Sequence, residues 1–176
     1  MYCVQFQKIQ GRLNVNKCLA FMDLWWDKQM QGRILFKMFK EAPRSLQFLL
    51  MCSGEKGPSY IGTRFSASHV GEPGEVIFAG TYSYNSIKIT GCTIMPSITD
   101  DDLSTRICTS GLIWVLPSTS PEYSTIFCVS LRGTREKVFD GVIGEVVSGM
   151  AVLKQAVLQR PIEDVLVKDC GIVFTL

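Results

Sequence analysis

Side chains able to do chemistry are sparse in this sequence, and their spacing argues against most reactions. The chain has one histidine, His69. A thiol hydrolase needs a cysteine and a histidine oriented on each other, and nothing in the sequence pairs His69 with a thiol. It reads as polar surface. The cysteines number seven: Cys3, Cys18, Cys52, Cys92, Cys108, Cys128 and Cys170. The count is odd, no two form a C-x-x-C pair, and most lie in apolar segments. They read as buried free thiols acting as small hydrophobes rather than as a disulfide framework or a zinc site. Gly54-Glu55-Lys56-Gly57 has half the glycines of a phosphate loop, but it lacks the G-x-x-x-x-G-K-[ST] spacing and follows a helix pattern. Asp100-Asp101-Asp102 lacks the alternation and distal glutamate of a calcium loop, so it reads as a solvated turn. No metal, no cofactor and no catalytic residue are expected. Arg132, Arg135 and Lys137 surround Glu136 in a small basic cluster, either a solvated loop or a patch for an acidic partner.

The elements that position such residues come from composition and periodicity. A chain of 176 residues, 47% hydrophobic, fits one packed domain. A net charge of +2 without a basic stripe makes nucleic acid an unexpected partner. The longest strongly apolar run, Phe48 to Cys52, is too short to span a bilayer. Polar residues interrupt the N-terminus at Gln5, Gln7, Lys8, Gln10 and Arg12, so it lacks the apolar core of a signal peptide. No membrane association is expected, and the expected location is cytoplasmic or nuclear.

Tyr2, Val4 and Phe6 alternate with polar or smaller residues, and Leu13 to Asn16 alternate again around Gln10-Gly11-Arg12, which predicts a short hairpin. Cys18–Trp26 and Arg33–Phe39 predict two strands joined by the polar segment Asp27 to Gln31. Pro43-Arg44-Ser45 opens a helix that carries Leu46, Phe48, Leu49, Leu50 and Met51 and ends by Gly54. Short strands between turn clusters follow from Tyr60 to Val129. Gly141–Val147 predicts a strand, Ser148–Leu158 a helix, and Ile162–Val167 and Gly171–Phe174 closing strand material. Many short strands with two helices suggest a closed antiparallel barrel, since closure removes free edges.

The order of these motifs resembles the cyclophilin family of peptidyl-prolyl isomerases. The family's F-x-D-x-x-x-D-x-x-x-x-G-R-h-x-F-x-L-F is met by Phe21-Met22-Asp23-Leu24-Trp25-Trp26-Asp27 and Gly32-Arg33-Ile34-Leu35-Phe36-Lys37-Met38-Phe39. Its P-K-T helix and C-T-G-E-K-G loop are met by Pro43-Arg44-Ser45 and by Cys52 to Gly57. Tyr60-x-Gly62-x-x-Phe65, Ile98 to Leu103, Gly111-Leu112-Ile113, Ser124 to Phe127, Gly141 to Val146 and Val165 to Gly171 follow in the family's order. The likeness covers roughly residues 21–173. It implies a mostly β fold, a closed eight-stranded antiparallel barrel capped by two α-helices. The expected division is an N-terminal extension over 1–18 and a cyclophilin-like domain over 19–176.

In that family an arginine in the F-H-R motif polarises the prolyl amide, weakening the resonance that sets a rotational barrier of ~18–20 kcal/mol. Here the corresponding residues are Phe65-Ser66-Ala67, so the charged donor becomes alanine. The glutamine strand F-M-x-Q-G-G aligns with Glu72-Pro73-Gly74-Glu75 or, preferably, with Val76-Ile77-Phe78-Ala79-Gly80; neither keeps the glutamine. Leu116 to Thr125 lacks the asparagines of the substrate-holding loop. The family's pocket tryptophan and histidine fall at Arg135 and Asp140, and of the pocket residues Phe127 survives. The resemblance therefore implies a vestigial groove at Phe65, Ala67, Phe127, Arg135 and Asp140. The expected function is a catalytically inactive interaction or scaffolding module, with a weak isomerase or proline-peptide binder as the alternative.

Two further expectations concern packing. Phe36, Phe48, Phe65, Ile113, Phe127 and Ile143 should be buried. Trp25 and Trp26 are adjacent on a strand, so one fills the barrel and the other faces outward. Tyr2, Val4 and Phe6, with Trp25 and Trp26, are the candidate contacts for a protein partner, as one part of a larger assembly. The same apolar N-terminal face alternatively packs on its own barrel.

Overall fold

A computed structural model gives the structure of the chain over residues 18–39, 43–54, 59–66, 75–80, 105–115 and 125–174. Strand β1 (Cys18–Trp26) and strand β2 (Gln29–Met38) form an antiparallel hairpin. The connection is shorter than the polar stretch Asp27 to Gln31 suggests. Only Asp27 and Lys28 turn the chain, both with positive φ, 51° and 61°. Two consecutive left-handed residues match the right-handed twist of the paired strands, which is why this two-residue turn closes hairpins. Within β1, Met22, Leu24 and Trp26 are in the core while Phe21 and Trp25 are partly exposed. On the other face Arg33 clasps its cross-strand partner Asp23 through two bonds of 2.7 Å and lies 4.0 Å from the Phe21 ring.

Helix α1 (Pro43–Ser53) starts at proline and stops before Gly54, as the sequence suggests. It is buried nearly all round, including Phe48, Leu49, Leu50, Met51 and Cys52, as a helix apolar on every side must be. Five strands follow: β3 (Val76–Ala79), β4 (Arg106–Ile107), β5 (Leu112–Val115), β6 (Phe127–Ser130) and β7 (Val138–Phe139). Then come β8 (Val142–Ser148), helix α2 (Met150–Ala156) and β9 (Leu166–Phe174). Helix α2 begins only after Gly149, whose φ is 89°. A Cβ there would lie 2.5 Å from the Arg33 carbonyl oxygen, so glycine lets the helix start pass close over β2. The strand expected over Ile162–Val167 is instead a 3₁₀ turn at Ile162–Asp164, with β9 starting at Leu166. The turn closes on itself, since the Asp164 and Val165 amides donate to the Pro161 and Ile162 carbonyls.

Seven strands form one curled antiparallel sheet in the order β3-β6-β5-β8-β2-β1-β9, and β4 pairs with β7 in a separate ribbon. The closed eight-stranded barrel implied by the resemblance is thus a seven-stranded half-barrel among the described residues. Residues 62–66 lie between its edges. Gly62 donates to Val167 and Phe65 to Val165 beside β9, while the Ser66 amide donates to Phe78 on β3. This segment makes only one bridge, Arg64 with Leu166, because the turn before it takes up its first residues. The Thr63 amide and hydroxyl both bond back to the Tyr60 carbonyl.

Strands β3, β5 and β6 and the start of β8, Val142 to Gly144, are buried on both faces, while Val147 and Ser148 at the end of β8 are exposed. Ile77, Ile113, Phe127, Val129 and Ile143 point inward, and Val76, Leu112, Trp114, Cys128 and Val142 form a second cluster outside. Double burial explains why these strands read as apolar runs rather than alternations. The six expected core residues are all at most 2% exposed. Tyr2, Val4 and Phe6 lie outside the described residues, as do Ala67, His69 and Asp100 to Asp102.

Candidate functional site

The residues that the resemblance assigns to a prolyl groove are carried by the 59–66 segment, β3, the start of β6 and the β7 ribbon. The Tyr60 amide bonds to the Met51 carbonyl at 3.0 Å, which ties the segment to the end of α1. Its chain then runs to Ser66, beside Phe78. Strand β3 stops at Gly80, with φ 84°. A Cβ on Gly80 would lie 2.5 Å from the Thr125 carbonyl oxygen and 2.8 Å from the Tyr60 ring, so this approach needs glycine.

Hydrogen bonds lock the approach. The Thr125 hydroxyl donates to the Gly80 carbonyl at 2.9 Å, and the Tyr60 hydroxyl donates to the Thr125 carbonyl at 3.1 Å. Both are buried. Burying a hydroxyl without a partner is costly, so these bonds hold the local backbone. They also direct both hydroxyl protons at backbone oxygens rather than at an outside ligand.

Phe127 is buried in the core. Its ring packs edge-on against Phe36, Phe48 and Tyr60, at centroid distances of 6.4, 5.1 and 5.2 Å. Phe65 is equally buried. Arg135 and Asp140 flank the β4–β7 ribbon and are exposed, with Asp140 accepting a 2.8 Å bond from the Thr105 hydroxyl. The ribbon is anchored by Phe139, which stacks on Trp114 of β5 at 4.0 Å and 9°. Arg132, Glu136 and Lys137 are exposed on the same loop. Trp26 fills the core, while Trp25 is half-buried with the Lys168 ammonium 5.4 Å from its ring. Trp25 and Trp26 thus point to opposite sides, as adjacent strand residues do.

The five described cysteines, Cys18, Cys52, Cys108, Cys128 and Cys170, are free and buried. Burial pushes the Cys128 thiol far up and raises Cys18. Cys52, at the end of α1, is raised by burial and then by its hydrogen bond to Cys170. That bond is the main cause lowering Cys170, with Ser59 helping and burial opposing. Cys170 also donates to the Cys52 carbonyl at 3.3 Å. Among the described residues no three His, Cys, Asp or Glu side chains group as metal ligands, and no helix is long and apolar enough to cross a membrane.

Sequence reasoning overlooked the Tyr60–Thr125–Gly80 lock and the Cys52–Cys170 contact. The apolar run ending in Gly80 was the one local signal. The partners lie 45 to 118 residues apart, beyond the reach of any spacing rule.

A curled antiparallel half-barrel with one helix seated on it, a second following β8, and β9 beside β1 is a cyclophilin-like fold. The chain is similar to a solved structure, the crystal structure of the Mimivirus cyclophilin, with a TM-score of 0.62 over 90% of each chain and 19% identity. No family model matches the chain, and no curated protein matches it by sequence.

Proposed function

We propose that this chain is a protein-interaction module on a cyclophilin-like fold, with a degenerate site that does not accelerate prolyl isomerisation. One observation carries the reading. The position matching the family's amide-polarising arginine is Ala67, and the hydroxyls of Thr125 and Tyr60 are spent on backbone carbonyls. A site without a directed charged donor cannot stabilise the twisted amide. The loss of the pocket tryptophan and histidine, at Arg135 and Asp140, supports the same conclusion. In this reading residues 62–66 act as the eighth stave and complete the barrel around Phe65. The cyclophilin-like domain then follows an N-terminal extension, in a cytoplasmic or nuclear protein.

The test is a prolyl cis/trans assay on standard proline peptides, together with cyclosporin binding. Neither should exceed background, and Ala67→Arg alone should restore little because the substrate-holding loop differs too. Robust isomerase activity in the unmodified protein would overturn the proposal in favour of the alternative, a weak isomerase or proline-peptide binder suggested by the fold likeness.

The partner surface in this reading is formed by Tyr2, Val4 and Phe6, with the half-buried Trp25 as a further contact. Deleting residues 1–17 tests it. Retained stability with loss of co-purifying chains supports an interface. A much lower melting temperature with binding retained makes the segment a brace. No change in either refutes both.

A further inference from the structure

Helix α1 opens with a cation in an unfavourable place. Arg44 is 7% exposed, and its Nε is sealed from water with no hydrogen-bond partner among the described residues. A buried charge is ordinarily paired, because removing it from water without compensation is costly. The second problem is the helix itself. Arg44 lies in the first turn of an 11-residue helix that has no acidic residue there. That end carries the positive pole of the macrodipole, which favours anions and disfavours cations. The third is the backbone. The Arg44 and Ser45 amides belong to the first turn, which has no intrahelical acceptors. The Ser45 hydroxyl points its single proton away from that end, between the Phe39 and Ile143 carbonyls at 2.7 and 2.9 Å.

All three features have the same sign, and one negatively charged group would relieve them together. Helix side chains tilt toward the N-terminal end, so the guanidinium of a first-turn arginine is carried toward the first-turn amides. A second cation stands nearby. Arg106, exposed on β4, holds its guanidinium 4.1 Å from the ring of Phe39, the residue whose carbonyl Ser45 binds. We propose that the N-terminus of α1 is an oxyanion site, in which Arg44 and the first-turn amides bind a phosphate group and Arg106 stands at the rim. This site is independent of the prolyl groove and of the partner surface proposed above. Helix amides and a guanidinium fork suit a phosphate's several acceptor oxygens.

The test uses the full chain purified free of phosphate and sulfate. Its melting temperature is followed against inorganic phosphate, O-phosphoserine and acetate, each against sodium chloride of equal ionic strength. Phosphate should raise it saturably, by about 3–7 °C at about twenty times the dissociation constant. A response at tenfold lower O-phosphoserine would assign the site to organic phosphates, and an equal response to the free anion. Acetate should do less than either.

Arg44→Gln decides the mechanism. It should abolish the phosphate response yet melt no lower than the parent in anion-free buffer, because it removes a cation from the positive end of the helix. Arg106→Gln should fold normally and weaken phosphate binding roughly 2–5-fold, which keeps the test open if Arg44→Gln folds poorly. The proposal fails if phosphate matches sodium chloride, or if Arg44→Gln responds as the parent does. It also fails if Glu41→Gln destabilises the anion-free protein while phosphate adds nothing, since the chain's own carboxylate would then be the partner.

Discussion

The two faces of the β3-β6-β5-β8 wall hold their aromatic residues differently. On the inner face Phe36, Phe48, Tyr60 and Phe127 meet mostly edge to face, every ring buried. On the outer face Trp114 stacks flat on Phe139, which is only partly covered, and the ribbon beyond it exposes Ile107 and Val138. The inner cluster draws rings from β2, α1, β6 and the 59–66 segment, so it joins the fold. The outer one attaches a small ribbon that carries Arg135 and Asp140. The inner face therefore carries stability, and the outer face positions exposed side chains.

Truncation should separate them. Phe127→Ala should cost roughly 3–5 kcal/mol by denaturant unfolding, because a closed ring cluster cannot collapse around the cavity. Phe139→Ala should cost only about 1–2 kcal/mol and should loosen the ribbon, read as faster amide exchange at Ile107 and Cys108. A larger loss at Phe139 than at Phe127 would break the comparison.

The thiols sharpen it through pH. Cys128, on the outer face, has its folded value raised by burial. A raised folded value means that its contribution is fully present below the unfolded thiol range and is lost as pH rises above it. Between pH 9 and 10 the protein should lose up to about 1 kcal/mol for this group. Cys128→Ala should flatten that slope, whatever it costs at neutral pH. Cys170, lowered by its bond to Cys52, works in the opposite sense. An unchanged slope in Cys128→Ala would mean that the outer face admits water.

The smallest effect belongs to Asp23 and Arg33. The Arg33 side chain is 42% exposed, so a double-mutant cycle should give about 0.2–1 kcal/mol despite the two-bond geometry. A coupling above about 2 kcal/mol would show that this side of the hairpin is shielded like the core.

Much of this architecture was legible along the chain. Pro43 and Gly54 bound α1 because proline tolerates a first helical turn and glycine a left-handed end. The Asp23 and Arg33 motif positions lie opposite each other because the hairpin register follows from the strand pattern. Periodicity and the family-like motifs located the six core residues. These features are local, set by a few neighbouring residues and a strand or helix repeat. Tertiary structure decided the rest. Sequence does not reveal that Asp27 and Lys28 alone turn the hairpin, since neither is the glycine such turns favour. Nor does it show that residues 62–66 yield one bridge instead of a strand, or that the Phe127 ring meets Phe36, Phe48 and Tyr60 edge-on. The Tyr60–Thr125–Gly80 lock, the Cys52–Cys170 contact and the burial of Arg44 Nε depend on what packs across the molecule. Burial and partnership are properties of neighbours distant in sequence, and folding alone brings those neighbours together.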